Sequence, residues 1–430
     1  MIRSTLLIMA ALSLALPRLV LAAPQSYFYP FVNPYEATVM ELPSYLEVKL
    51  PDRIPSREFT VHPFPGRQIP EVFWYEDGLT CTLAYQNHKA PLIFVIAGTG
   101  SSHDSSRMVK LQKLFYQAGF HVISLTSPTH MDFIVNASGG LPGDSLGDAQ
   151  DLYRIMELAY SQIRGEIEVS GFALAGYSLG AFNAAFVANL DEQRKVFNFQ
   201  KVLLLNPPVS LIESVTALDQ LLVENVPGGM NQFEVWFKNA LLQMAAVSRQ
   251  MGPVELSCDF LYGAYKRLPP KVENVAALIG LSFRMNSANL VFTADVMNGG
   301  GYVVPKPPRL TASSPLTGYA LVSYNTRFLD YYNDLLAPSH LQQEPGLARE
   351  ALLERMSLRH LGAYLKNTDK IGLVHNEDDI ILGPGDIDYL LGVFGSRARI
   401  FPTGGHLGNL LHPEVAGFMV DFLRAKEHKL

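Results

Sequence analysis

The sequence predicts an α/β protein in which a mostly parallel central sheet carries helices on both faces. Short apolar runs alternate with segments of helical apolar spacing up to residue 208, and again after residue 366. A long block of amphipathic helical patterns separates these two stretches. Between a buried-type strand and an Ala-rich helix, residues 175–181 spell Ala-Gly-Tyr-Ser-Leu-Gly-Ala. This pattern is typical of a serine on a tight strand-to-helix turn.

The composition agrees with this architecture. The chain has 430 residues, of which 48% are hydrophobic, enough for one large domain with an insertion. The net charge of −6 and the lack of a basic run exclude a nucleic-acid partner. Cysteine spacing offers no metal site and no P-loop pattern occurs, so neither a cofactor nor a metal is predicted.

The elements follow from periodicity and from turn residues. Two antiparallel strands are predicted around residues 59–64 and 72–85, after an extended lead-in over residues 23–58. The alternating region and its continuation form a predicted core over residues 59–208 and 366–430, with a helical cap inserted after the sixth strand over residues 209–365. Strands are predicted at residues 92–96, 121–125, 167–175, 201–205, 370–375 and 398–401, and helices at residues 105–118, 148–164, 181–190, 211–226, 233–251, 272–285, 389–394 and 413–426.

The first 22 residues are typical of a secretory signal peptide. Arg3 precedes an apolar run over residues 6–16, and small residues follow, with cleavage predicted after Ala22. The chain is therefore expected to be periplasmic or secreted, or membrane-anchored if the segment is retained. Export implies an oxidising compartment, but Cys81 and Cys258 could equally form a disulfide or stay as two buried thiols.

Ser178 is the candidate nucleophile. The pattern G-x-S-x-G arises by chance in roughly one chain in six of this length at ordinary glycine content, so its context must decide. Here the required strand precedes the serine and the required helix follows it. The alternative is a glycine-rich turn with a solvated serine.

A nucleophilic serine needs a base, and the base needs an orienting acid. His406 follows the last predicted strand in a glycine-flanked loop, whereas His412, before Pro413, is expected to cap the final helix. Asp379 follows the strand that ends at His375 and is the preferred acid, with Asp378 as its rival.

Backbone amides must stabilise the oxyanion of an acyl transfer. One donor is predicted at Leu179, directly after the serine, and the other at Thr99 in the loop Ala97-Gly98-Thr99-Gly100. The same loop approximates a dinucleotide fingerprint, but it lacks the last glycine, and the next strand lacks the acid at its end.

These motifs together resemble the α/β-hydrolase superfamily. The order Ser178, Asp379, His406 matches the family's order over residues 59–208 and 366–426. The resemblance implies an α/β-hydrolase fold, hydrolysis through an acyl-enzyme intermediate, and a cap over the active site. Two positions depart from the family: Ala97 stands where histidine is frequent, and Asn376 stands where glycine is frequent, a place where asparagine tolerates the left-handed conformation.

The predicted function is that of an exported serine hydrolase, esterase- or lipase-like, acting on a small-molecule or lipid-like acyl substrate. The apolar cap favours a hydrophobic acyl group and would allow contact with a membrane surface. Three alternatives stay open: an acyltransferase with the same nucleophile, a peptidase, and a non-catalytic envelope binding or assembly protein on a hydrolase scaffold.

Overall fold

A single eight-stranded sheet organises the protein. The computed structural model describes residues 27–425, apart from 41, 44, 240–241, 243–271 and 307–308. The strand order is β1-β2-β4-β3-β5-β6-β7-β8, and β2 runs antiparallel to both neighbours while all pairs from β4 to β8 are parallel. The strands are β1 Ser56–Val61, β2 Leu79–Ala84, β3 Ala90–Ile96, β4 His121–Leu125, β5 Val169–Tyr177, β6 Lys201–Leu205, β7 Ile371–Asn376 and β8 Ala398–Phe401.

Helices cover both faces of the sheet and fill the connection between β6 and β7. They are α1 Pro34–Val39, α2 Ser106–Gln117, α3 Met131–Asn136, α4 Ser145–Ile163, α5 Leu179–Arg194, α6 Leu211–Asn225, α7 Val272–Asn298, α8 Thr317–Asn325, α9 Phe328–Tyr331, α10 Ala337–Gln343, α11 Arg349–Arg355, α12 Gly362–Asn367, α13 Asp386–Phe394 and α14 Pro413–Arg424. Short 3₁₀ turns lie at Glu71–Phe73, Met230–Gln232, Leu358–Leu361 and Gly395–Arg397, and a π-helical turn at Tyr332–Leu336 joins α9 to α10.

Apolar side chains fill two cores, one on each face. Helices α4, α5 and α13 pack on one face, and α2 and α14 pack on the other. Every residue of β4 and of β7 is buried, as expected for strands covered on both sides. The parallel register brings the carboxyl ends of β3, β5, β6 and β7 to one edge, where loops can combine residues that are distant in sequence.

This strand order, with its single antiparallel strand and a strand–serine–helix unit in its centre, is the α/β-hydrolase fold. The predicted fold class is therefore confirmed, including the position of the helical block after the sixth strand.

The N-terminal elements differ from the prediction. The lead-in is not wholly extended, because Asn33 caps a short helix by accepting hydrogen bonds from two backbone amides, and Pro34 begins that helix. The second strand is shorter than residues 72–85. A 3₁₀ turn takes up Val72 and Phe73, and the chain then turns at Gly78 with a φ of 80°.

The described part of the insertion is helical, with one isolated β-bridge between Ser210 and Ser357. Helix α7 runs well past the predicted end at residue 285. Among the described residues it alone contains a segment long and apolar enough to cross a membrane, Val275–Asn298. However, 78% of the most apolar stretch of this segment is buried inside the protein. The helix therefore packs as a core element of the insertion, against α6 and α8.

Several predictions fall outside the described residues. They concern the signal peptide at residues 1–22, most of the helix at residues 233–251, of which residues 233–239 are helical here, and Cys258. Cys81 is fully buried in β2. The question of its pairing with Cys258 therefore stays open.

Candidate active site

Ser178 occupies a strained turn between β5 and α5. Its φ of 55° and ψ of −126° lie in a region that favours glycine, at a cost of about 1–3 kcal/mol. The Ser178 amide donates a 2.8 Å hydrogen bond to the Leu205 carbonyl at the end of β6. The sheet edge therefore holds the serine in a conformation that its own side chain disfavours.

The two glycines of the motif are required by close backbone approach. A Cβ on Gly176 would lie 2.2 Å from the carbonyl oxygen of Gly180, and a Cβ on Gly180 would lie 2.2 Å from that of Ile96. Gly98 on the neighbouring loop has the same constraint, because its Cβ would lie 2.8 Å from the Tyr177 ring. The pattern G-x-S-x-G is here a consequence of packing rather than of chance.

A chain of hydrogen bonds joins the three residues predicted to act together. His406 Nε2 lies 2.9 Å from Ser178 Oγ, and His406 Nδ1 lies 3.0 Å from each carboxylate oxygen of Asp379. An imidazole with Nδ1–H donated to the carboxylate presents an unprotonated Nε2 to the serine hydroxyl. This is the arrangement in which the base can accept the serine proton.

Asp379 is buried and held by neutral donors. Asn206 Nδ2 donates a 2.8 Å hydrogen bond to one carboxylate oxygen, and the Ile381 amide donates a 3.2 Å bond to the other. Burial alone would raise the pKa of this carboxyl group, but the charge and hydrogen bond of His406, with help from His375 and Asn206, lower it below its ordinary value. Asp379 is therefore a carboxylate wherever His406 could act as a base.

A second histidine, His375, lies behind the carboxylate. Its Nδ1 is 3.5 Å from Asp379 Oδ2 and accepts the Asn376 amide, while Nε2 lies 3.0 Å from the Pro207 carbonyl and can donate to it. Complete burial lowers the pKa of His375, although the charge of Asp379 and the hydrogen bond to the Pro207 carbonyl act in the opposite direction. His375 therefore contacts the same carboxylate that His406 contacts.

Asp378, the rival acid, has a different position. Its carboxylate oxygens accept hydrogen bonds from the amides of Gly404, at 3.1 Å, and Gly405, at 2.8 Å. Desolvation raises the pKa of Asp378 despite these two bonds. The two adjacent acids therefore make different contacts. Asp379 contacts the His406 imidazole, and Asp378 holds the loop that carries His406.

The loop of His406 is also held by the N-terminal segment. Thr38 Oγ1 on α1 accepts a 2.9 Å hydrogen bond from the His406 amide, and a Cβ on Gly408 would lie 1.8 Å from the Ala37 carbonyl oxygen. Leu407 has a φ of 70°, so this loop is strained immediately after the histidine.

Asn376 does not adopt the left-handed conformation expected from the sequence, so that prediction was wrong. Asn376 is the last residue of β7 and is not among the described residues with positive φ; Asn206, at the end of β6, has a φ of 47° instead. The Asn376 side chain donates to the Gly405 carbonyl and exchanges hydrogen bonds with Asn409. Its amide braces the histidine loop, a task that glycine could not perform.

The predicted oxyanion donors line the cavities at Ser178. Thr99 lines both cavities described below, and Leu179 lines the smaller one. Among the described residues neither backbone amide has a hydrogen-bond partner, whereas the Gly100 amide is used by Thr129 Oγ1 at 3.0 Å. Thr129 therefore helps to fix the conformation of this loop. The loop has Ala97 at the position where α/β-hydrolases frequently have histidine.

Two cavities meet at Ser178. The large cavity, of about 220 Å³, also reaches His406 and is lined by both polar and apolar side chains, Glu47, Arg107, Lys110 and Ile279 among them. The small cavity, of about 50 Å³, is lined mainly by apolar side chains from α6, α7 and α9. Phe283, Leu218, Asn286 and Thr99 line both cavities and stand between them.

One group of described residues could hold a metal ion. Donor atoms of Glu58, His103 and Asp104 lie within 4.8 Å of one another. Two of the three are exposed carboxylates, and His103 Nδ1 is hydrogen-bonded to Thr82 at 2.7 Å. None of the three lines either cavity at Ser178.

Sequence patterns did not predict that four residues support the site: Thr38, Asn206, Asn376 and Asp378. Thr38 and Asn206 are ordinary polar residues in sequence, 368 and 200 positions from His406. The turn-prone run Asn206-Pro207-Pro208 after a buried strand was the one available signal for Asn206, since loops that follow parallel strands meet at one edge.

Comparison with known proteins finds similarity among solved structures. No family model and no curated protein matches the chain. Among solved structures, a thioesterase domain from the curacin biosynthetic pathway is 16% identical, with 86% of this chain and all of that domain covered and a TM-score of 0.37. An esterase of Rhizomucor miehei is 12% identical, with 88% and 85% covered and a TM-score of 0.43. A proline iminopeptidase of Mycobacterium smegmatis is 16% identical, with 83% and 96% covered and a TM-score of 0.38.

None of these similarities assigns an activity to the chain. The class of protein follows instead from strand order and from the strained serine turn: this is a protein of the α/β-hydrolase fold. No subfamily is defined by the cap or by the comparisons.

Proposed function

We propose that the chain is a serine hydrolase that cleaves an ester or a related acyl bond through a covalent acyl-enzyme intermediate. One observation carries the proposal: His406 bridges Ser178, at 2.9 Å, and Asp379, at 3.0 Å, through its two ring nitrogens. A binding protein would have no need of this arrangement, nor of a strained serine at the floor of a cavity.

In the first half-reaction, Ser178 Oγ attacks the carbonyl carbon of the substrate while its proton passes to His406 Nε2. The carbonyl electron pair moves to the oxygen, and the resulting oxyanion is stabilised by the Thr99 and Leu179 amides. The carbon–oxygen bond to the leaving group then breaks as the oxyanion collapses, and the leaving oxygen takes the proton from His406 Nε2.

In the second half-reaction, a water gives its proton to His406 Nε2 and attacks the acyl-enzyme carbon. The collapse of this intermediate breaks the bond to Ser178 Oγ, which recovers the proton. Asp379 stays ionised throughout and stabilises the imidazolium, in keeping with the lowered pKa of its carboxyl group.

An alcohol in place of water would turn the same steps into acyl transfer. Product analysis with water alone and with added alcohol separates the two activities, since only transfer yields a new ester. As to location, residues 1–22 support export to the periplasm or the medium, with the apolar run over residues 6–16 as its basis.

A fluorophosphonate probe tests the nucleophile. We expect the wild-type protein to be labelled and Ser178→Ala to be unlabelled. Ser170→Ala, which changes an exposed serine on the same strand, is the matched control and should be labelled like wild type. A wild type that resists labelling, or labelling that survives Ser178→Ala, would contradict the proposal.

A further inference from the structure

We propose that the two cavities at Ser178 divide the substrate: a short apolar acyl group occupies the small cavity, and a larger leaving group occupies the large one. This inference rests on the proposed hydrolase function and adds the class of substrate to it. The enzyme would thus act on esters of short acids, of about two to four carbons, with bulky alcohols.

The position of His406 indicates which cavity receives the leaving group. His406 Nε2 must protonate the leaving oxygen, so the leaving group departs on the side of the imidazole. His406 and the following residues Leu407 and Gly408 line the large cavity, whereas none of them lines the small one. The acyl group, which stays bonded to Ser178 while the leaving group departs, therefore points away into the small cavity.

The predicted oxyanion hole agrees with this direction. Leu179 lines the small cavity alone, and Thr99 lines both. A carbonyl oxygen directed at these two amides places the carbonyl carbon at the junction of the cavities. One substituent of that carbon then faces His406, and the other faces Leu290 and Phe328 in the small cavity.

The volumes of the two cavities set the size of the acyl group and of the leaving group. A cavity needs about 10–15 Å³ for each water-sized group that it holds. The small cavity of about 50 Å³ accordingly holds roughly three to five non-hydrogen atoms, and the large one of about 220 Å³ holds some fifteen or more. An octanoyl chain does not fit the first, whereas an aromatic or long-chain alcohol fits the second.

The side chains that line the two cavities support the same assignment. Apolar side chains from α6, α7 and α9 form most of the small cavity, with Leu290 only 2% exposed and Phe328 6% exposed. The large cavity includes charged groups on α2, Arg107 and Lys110, beside apolar residues. The acyl group is therefore expected to be apolar and unsubstituted, while the alcohol tolerates polar groups.

Two series of esters test the division in the full chain, each below its solubility limit. In the first, the 4-nitrophenyl esters of acetate, butyrate, hexanoate and octanoate vary the acyl group alone. We expect kcat/KM to fall at least about tenfold from butyrate to octanoate. In the second, ethyl, butyl and octyl acetates vary the alcohol alone, and we expect kcat/KM to change less than about threefold.

A matched pair of variants on α7 locates the effect. Leu290→Ala enlarges the small cavity and should raise the octanoate-to-butyrate ratio of kcat/KM about tenfold. Ile279→Ala removes a similar side chain from the large cavity and should leave that ratio within about twofold. Val215→Ala, a smaller change in the small cavity, raises the ratio in the same direction and guards against misfolding of Leu290→Ala.

The outcomes separate the inference from the function on which it rests. If Ser178 is labelled and esters are hydrolysed, but kcat/KM is flat or rises up to octanoate, the division is wrong and the hydrolase proposal stands. The same holds if octyl acetate is rejected, or if Ile279→Ala rather than Leu290→Ala shifts the ratio. Absence of both labelling and ester hydrolysis would overturn the two together.

Discussion

Thr38 Oγ1 accepts a 2.9 Å hydrogen bond from the backbone amide of His406, 368 residues further along the chain. The same hydroxyl donates a 2.7 Å bond to the Pro34 carbonyl, so its lone pairs are directed at the histidine loop. The segment that precedes the sheet therefore helps to position His406.

Thr38→Val should lower kcat about three- to tenfold with little change in KM, because valine keeps the shape but cannot accept the His406 amide. Steady-state kinetics would measure this. Thr216→Val is the matched control, since Thr216 makes the same helix-internal hydrogen bond, to Ile212, without contacting the loop. Equal effects of the two substitutions would show that Thr38 does not act on the base.

Asp379→Asn should lower kcat by about 10³–10⁴, because an amide no longer holds the tautomer that leaves His406 Nε2 free to accept a proton. Asp378→Asn should cost only about tenfold, since the amide oxygen can still accept one of the two loop amides. Comparison of the two variants by kcat, with folding checked by circular dichroism, tests the division between the acids. A larger loss from Asp378→Asn would reverse it.

Asp148 gives a pH-dependent prediction about stability. Burial, then the charge of Asp144, raises the pKa of this fully buried carboxyl group well above its ordinary value, although the Gly143 amide donates to it. In the unfolded chain the group ionises near pH 4. Above that pH the folded protein keeps a proton that the unfolded chain has lost, so the free energy of unfolding falls as pH rises towards the folded pKa.

Asp148→Asn removes this dependence, since an amide has no proton to lose. The variant should match wild type near pH 4 and exceed it at pH 8 by on the order of 1 kcal/mol or more, as measured by urea denaturation at both pH values. Asp52→Asn, at an exposed aspartate, is the control and should change little at either pH. A gain that is equal at both pH values would contradict the linkage.

Gly180→Ala should prevent stable folding, or lower the free energy of unfolding by more than about 3 kcal/mol, since the new methyl group would lie 2.2 Å from the Ile96 carbonyl oxygen. Gly417→Ala is the contrasting change, within α14, where a Cβ meets nothing within 4 Å. It should stabilise the protein by about 0.5–1 kcal/mol. Thermal melts of both variants would decide, and tolerance of Gly180→Ala would refute the packing argument for the motif.

Periodicity predicted most of the sheet because buried parallel strands are short continuous apolar runs, as in β3, β4, β6 and β7. It failed at residues 72–78, where Val72 and Phe73 are buried by a 3₁₀ turn rather than by a strand. It also missed α1, since a helix of six residues carries too little periodic signal, although Asn33 and Pro34 marked its start.

The sequence alone determined the α/β-hydrolase fold, the turn of Ser178 and the order of the candidate acid and base, because these depend on local patterns of glycine and apolar residues. The tertiary structure decided which carboxylate contacts His406, because Asp378 and Asp379 are adjacent and only the packing of β7 against the histidine loop separates their directions. It also decided that Thr38, Asn206 and Asn376 support the site, and that two unequal cavities meet at the serine. Contacts across hundreds of residues and volumes between helices leave no local trace in a sequence.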